Sequence, residues 1–163
     1  MPEGSLIKGK RILIVDDEPD VLETLEELLD KCELVKAASF DEAKAFLEKE
    51  YFDIAILDIM GVNGYRLLEM ANEREIIAVM LTAHALSPEN AVKSFKEGAA
   101  SYVPKDEIVN IETFLEDILD AKQKGKNLWW RWLDRLGNTY FVNKFGPNWQ
   151  DTDKEFWKKF NYL

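Results

Sequence analysis

Asp16, Asp17, Asp58, Thr82 and Lys105 are the side chains of this 163-residue sequence whose types could do chemistry together. Carboxylates brought close repel one another and need a cation. Oxygen donors without His or Cys favour a hard ion such as magnesium over zinc. Around such an ion one carboxylate can attack phosphorus, an ammonium can offset one phosphoryl oxygen and a hydroxyl can donate to another, which is the equipment of phosphoryl transfer. Taken singly, each residue has a plainer use: a strand-end Asp or Thr caps the next helix, and a lone Lys is a solvated charge. What sets them apart is where the chain must put them.

Asp53-Ile-Ala-Ile-Leu-Asp58 is an apolar run without polar alternation, as a strand covered on both faces needs, and it delivers Asp58 to a loop holding Gly61, Asn63 and Gly64. Arg11-Ile-Leu-Ile-Val-Asp16 repeats the pattern and ends in Asp16-Asp17-Glu18 before Pro19, a residue suited to the first turn of a helix whose face is Val21, Leu22, Leu25, Leu28 and Leu29. A weaker strand follows from Glu33 to Ala38, and Ser39-Phe-Asp-Glu42 has capping-box spacing ahead of Ala43, Phe46 and Leu47. Next come a helix from about Tyr65, a strand over Ile76–Leu81 ending at Thr82, and a helix opened by Ser87-Pro88-Glu89 and stopped at Gly98. Ala100 to Val103 is a short strand before Pro104-Lys105, and Ile111, Phe114, Leu115, Ile118 and Leu119 mark a fifth helix.

Five strands alternating with five helices predict an α/β fold, a doubly wound five-stranded parallel sheet with right-handed crossovers. All five chemical residues then fall at carboxyl ends of strands, on one edge. In the flavodoxin-like order 2-1-3-4-5 the first and third strands flank the crevice where ligands bind, which brings Asp17 and Asp58 together.

The order Asp16-Asp17, Asp58, Thr82-Ala83, Tyr102 and Lys105 resembles the receiver domain of two-component response regulators, of the CheY-like fold, across roughly Lys10 to Ala121. The resemblance implies that Asp58 is the phosphoacceptor, that Asp16, Asp17 and Asp58 hold magnesium with the Met60 backbone carbonyl, and that Thr82 and Lys105 contact the phosphoryl group. It implies that Tyr102 is the aromatic that switches with Thr82, and that the donor is a histidine of a sensor kinase or phosphotransfer protein. Phosphorylation then shifts the face around the fourth helix, fifth strand and fifth helix. Such a protein is not an enzyme beyond catalysing its own phosphorylation and dephosphorylation. Met60 and His84 are expected to tune phosphoryl lifetime, against the plainer reading of His84 as an exposed loop residue. Two departures stand out: Val62 replaces the Pro that many receivers carry four residues after the acceptor, with Gly64 six rather than eight on, and Pro104 precedes Lys105 where a Pro usually follows. The competing reading is a phosphorylation-independent scaffold or interaction module on the same fold.

Net charge is −10, unevenly placed: through Asp120 there are 12 Lys and Arg against 27 Asp and Glu, and from Ala121 onward 9 against 4. All five tryptophans (Trp129, Trp130, Trp132, Trp149, Trp157) lie in the second part. The shift divides the chain into an N-terminal extension (1–9), a receiver domain (10–121) and a basic, aromatic helical extension (122–163), with Lys122 to Lys126 as a polar hinge. Leu128, Trp129, Trp132, Leu133 and Leu136 recur at helical spacing up to Gly137, and Thr152-Asp-Lys-Glu155 is a capping box before Phe156, Trp157 and Phe160. The aromatics are expected to pack on the receiver or on a second copy, with a protein target as the next reading; the acidic receiver argues against DNA or RNA. Mean hydropathy is −0.29 and no apolar run approaches the roughly 20 residues that span a bilayer. The amino terminus lacks a secretory signal, so a cytosolic protein is expected. Cys32, the single cysteine, excludes an internal disulfide.

Overall fold

The computed structural model describes residues 5–82, 88–132, 134–136, 148 and 154–160. Apolar runs become strands β1 (Arg11–Val15), β2 (Glu33–Ala37), β3 (Ile54–Asp58), β4 (Ile77–Thr82) and β5 (Ser101–Pro104). They pair in parallel in the order β2-β1-β3-β4-β5. All five residues of β3 are buried, as its unbroken apolar run requires of a strand with helices on both faces. β2 and β5 are the edges.

The helices are α1 (Pro19–Leu28), α2 (Phe40–Lys49), α3 (Gly64–Glu73), α4 (Pro88–Lys96) and α5 (Ile111–Lys124). Pro19 sits in the first turn of α1, where its missing N–H leaves nothing unsatisfied. At α2 the Ser39 hydroxyl accepts from the Glu42 N–H at 3.2 Å, while Glu42 Oε1 accepts from the N–H of Ala38 at 2.9 Å. The capping box therefore closes one residue further out than its usual form. A 3-10 turn, Lys105–Asn110, joins β5 to α5, a stretch whose residues show no helical periodicity in the sequence.

The polar stretch expected as a hinge is instead the last turn of α5 and its cap. The Gly125 N–H donates to Lys122 O and the Lys126 N–H to Ala121 O, with Gly125 left-handed at φ 68°. This pair of bonds is a Schellman motif, which ends a helix firmly. Lys and Gln are good helix formers, so polarity alone did not break the helix there.

Beyond α5 the chain folds back on its own α/β unit, against α4, β5 and α5. The Trp129 indole N–H donates to Ala99 O and the Trp132 indole N–H to Tyr102 O, both at 2.7 Å and buried. Ala99 lies just before β5 and Tyr102 within it, so two indoles satisfy backbone carbonyls along the edge strand. Phe95 of α4 meets Trp129 and Phe156 edge-on at 5.3 and 5.2 Å between centroids, and Trp132 stacks on Trp157 at 6.3 Å. Arg135 grips Asp117 of α5 through Nε at 2.6 Å and Nη2 at 2.9 Å. Trp132 and residues 134–136 are helical, and a last helix spans Lys154–Phe160. Leu133, Gly137, Trp149 and the Thr152-Asp153 start of the second capping box lie outside the described residues.

Next to Asp117 on α5, Glu116 accepts from Ser5 Oγ at 2.7 Å and from the N–H groups of Leu6 and Ile7 at 2.8 and 3.2 Å. Cys32 is half-buried, its thiol 3.4 Å from Ile7 O. Among the described residues no helix is long and apolar enough to cross a membrane.

Candidate functional site

Four strand ends build the site. Asp58 closes β3 and pairs in register with Leu81; Thr82 closes β4 opposite Pro104 of β5, and Lys105 follows at once. Asp16 comes directly after β1, with its Oδ1 accepting from the Glu18 N–H at 2.9 Å, which turns the acidic run back toward the sheet edge. Asp17, Glu18, Asp58, Met60, Gly61, Thr82 and Lys105 line one cavity of about 210 Å³.

Lys105 Nζ is its electrostatic centre, 2.9 Å from Asp16 Oδ2, 2.8 Å from Glu18 Oε1 and 3.5 Å from Asp58 Oδ1. Burial works against its charge, but hydrogen bonds to Glu18 and Asp16 and the charge of Asp58 outweigh that and raise its pKa above the ordinary lysine value. Asp58 is pushed up to about 6, first by burial and then by the negative charge of Asp16, with Lys105 opposing both. Asp16 is also raised, again mainly by burial. One carboxylate oxygen each from Asp16, Asp17 and Glu18 lies within 4.8 Å of the other two. A donor set of oxygens alone suits a hard divalent cation.

The β3–α3 loop is tight. The Met60 carbonyl accepts the Val62 N–H, the Gly64 N–H donates to Ile59 O at 3.1 Å, and Gly61 and Asn63 are left-handed at φ 61° and 55°. These contacts give the short loop its form, with α3 starting at once at Gly64. A Cβ on Gly61 would stand 2.5 Å from Asp17 Oδ2 and one on Gly64 2.1 Å from Asp58 O, so the backbone passes too close to the acids for any side chain.

Of the residues singled out from the sequence, Asp17, Asp58, Met60, Thr82 and Lys105 share the cavity, and Asp16 lies buried beneath it. Met60 is 59% exposed at the rim. Tyr102 does not line the cavity; it is fully buried on β5, its carbonyl taken by Trp132. His84 lies outside the described residues. Glu18 and Gly61 escaped the sequence reading. Glu18 continues the acidic run before Pro19, but nothing in the sequence says its side chain returns to Lys105. Gly61 carried only the general signal of a loop glycine.

The family model described as response regulator receiver domain matches residues 12–116. Among curated proteins, the two-component response regulator ARR18 of Arabidopsis thaliana is 33% identical over 103 residues, covering 60% of this chain and 16% of that protein. The heme response regulator HssR of Staphylococcus haemolyticus is 35% identical over 101 residues, covering 58% of this chain and 44% of that protein. The chain thus spans less than half the length of these relatives. Among solved structures, a CheY-like receiver domain protein from Methanospirillum hungatei is 32% identical with a TM-score of 0.64, covering 72% of this chain and 98% of that one. The matched span holds every described residue of the acidic cavity, and the chain belongs to the response regulator receiver domain family of two-component systems.

Proposed function

We propose that Asp58 accepts a phosphoryl group in a magnesium-dependent reaction, from a phosphohistidine of a sensor kinase or phosphotransfer protein. The observation that carries this reading is Asp58 itself: a buried strand-end carboxylate opening into the cavity with an ammonium 3.5 Å away and the Thr82 hydroxyl on the adjoining strand end. An Asp58 oxygen attacks phosphorus, the bond from phosphorus to the donor imidazole nitrogen breaks, and the electron pair leaves with the imidazole. Lys105 offsets charge on the transferred oxygens and Thr82 donates a hydrogen bond to one of them. Asp16 and Asp17, with Asp58 and the Met60 carbonyl, would hold the magnesium, and Glu18 stands within reach of the same cluster. Bound there, the ion neutralises phosphoryl charge. Tyr102 is the aromatic whose setting follows Thr82, and Met60 and His84 tune the lifetime of the phosphoryl group.

The protein works in the cytosol, and its downstream contact, a second copy or a protein target rather than DNA, runs through the extension. The same residues catalyse self-phosphorylation from small donors and later hydrolysis.

Intact-protein mass after incubation with acetyl phosphate and magnesium tests the assignment, on the wild type and Asp58→Asn. One magnesium-dependent phosphoryl adduct that vanishes in the variant supports it. No adduct on the wild type moves the reading to a phosphorylation-independent scaffold.

A further inference from the structure

We propose that Glu18 is a positioning residue for phosphoryl transfer: its carboxylate tethers the Lys105 ammonium, and so weakens the hold of the cavity on a phosphoryl group at Asp58. The proposal rests on the reading of Asp58 as acceptor.

Glu18 stands at a helix start where a side chain has an ordinary use, and it forgoes that use. It is the N-cap residue of α1, with extended backbone at φ −96° and ψ 112°, yet its side chain makes no capping bond. Ser, Thr, Asp and Asn are favoured at such a position because a short side chain brings its oxygen back to the first free N–H groups of the helix. The backbone of Glu18 is nevertheless fixed. Its N–H donates to Asp16 Oδ1 at 2.9 Å, and its carbonyl accepts from the N–H groups of Val21 and Leu22 at 3.1 and 3.3 Å. What remains to be placed is the side chain, and it crosses to Lys105, 87 positions away in the chain.

The Lys105 ammonium has three protons to give and three carboxylates around it. Its Nζ lies 2.8 Å from Glu18 Oε1 and 2.9 Å from Asp16 Oδ2, the lengths of full charge-assisted bonds, whereas Asp58 Oδ1 is at 3.5 Å. The ammonium has settled on the two acids that do not carry the phosphoryl group. Asp16 is wholly buried and needs a compensating charge whatever happens at Asp58. Glu18 differs, because its side chain is 55% exposed and water solvates it once Lys105 moves off. It competes for the ammonium without depending on it. An ion pair of that exposure is weak, so the tether shifts an equilibrium and does not block the site.

The test uses the full chain and fluoroberyllate, a phosphoryl mimic that seats on an acceptor carboxylate without a group-transfer step, titrated by fluorine NMR at saturating magnesium. Glu18→Gln removes the charge of the tether. Glu18→Asp keeps the charge but is one methylene shorter, and its carboxylate suits the uncapped start of α1. Both variants should bind the probe about two- to fivefold more tightly than wild type, the range that a half-exposed ion pair can supply. Tighter binding in Glu18→Gln alone overturns the tether in favour of a general effect of charge at the rim. Equal or weaker binding in both variants overturns it outright. A wild-type chain that neither binds the probe nor takes an adduct from acetyl phosphate overturns the reading of Asp58 and the tether with it, whereas a wild type that binds, with variants no tighter, overturns the tether alone.

Discussion

The ammonium of Lys105 lies 2.9 Å from Oδ2 of Asp16, a side chain with no exposure to solvent. A buried carboxylate is tolerable only while compensated. Removing the partner in Lys105→Ala leaves Asp16 charged in a poor solvent, and we expect the variant to lose about 3 kcal/mol in urea unfolding with chelator present. Added magnesium should restore part of the loss, because a cation can replace the ammonium beside the acids. A change within experimental error would show that the pair contributes little to the fold.

Asp58 gives a pH dependence whose sign can be worked out. Its pKa is about 6 in the folded chain against an ordinary 3.8, so the folded state binds a proton more tightly than the unfolded one. Stability from this group is present below pH 4 and is lost as pH rises toward 6, beyond which the loss is complete. Asp58→Asn carries no such penalty. In chelator it should match the wild type near pH 4 and exceed it by about 2 kcal/mol at pH 7, after allowance for solvent screening. Equal stabilities across the range would refute the burial-driven shift.

Gly61→Ala should damage the acid cluster without touching an acid. The position is left-handed, and the new methyl would meet the Asp17 carboxylate at 2.5 Å. We expect a loss of about 1–2 kcal/mol in stability and a roughly tenfold weaker magnesium affinity by calorimetric titration. Unchanged magnesium affinity would mean that Asp17 can give way freely.

Asp117→Asn tests how the extension is fastened. The native carboxylate accepts from Arg135 Nε and Nη2, and its residue is 8% exposed, so a charge-assisted pair is lost in a partly dry setting. Weakening of the docked extension by about 1–2 kcal/mol is expected, read as an earlier tryptophan transition in urea than the far-UV one. Coincident transitions at the wild-type midpoint would show that the aromatic contacts suffice alone.

The sheet was legible because its strands announce themselves. Ile54 to Leu57 and Ile12 to Val15 have no polar alternation, and such runs belong in a sheet covered on both faces. Once parallel, the strands put Asp58, Thr82 and Lys105 at one edge without further information. Glu18 was not legible, since a carboxylate beside Pro19 could face solvent as easily as Lys105; the Asp16 contact with the Glu18 N–H decides it, and periodicity does not report such turns. The run from Lys122 to Lys126 looked like a hinge because charge and polarity mark solvated helix ends and linkers alike. The docking of Trp129 and Trp132 was half legible: helical spacing gave the apolar stripe, but the acceptors are backbone carbonyls at a strand edge, which leave no trace in side-chain type.

Glu116 and Asp117 are neighbours on α5, and between them they hold the segment before β1 and the segment after the helix. The arrangement has a mechanical consequence. A pull applied between Ser5 and Arg135 is borne first by side-chain bonds to a single helix, which break one after another like stitches. The five-stranded ladder, whose hydrogen bonds share load in parallel, stays closed while both ends come away. Under tension the chain would therefore shed its two flanks before the sheet opens, leaving Asp58 and Thr82 in a sheet that is still intact.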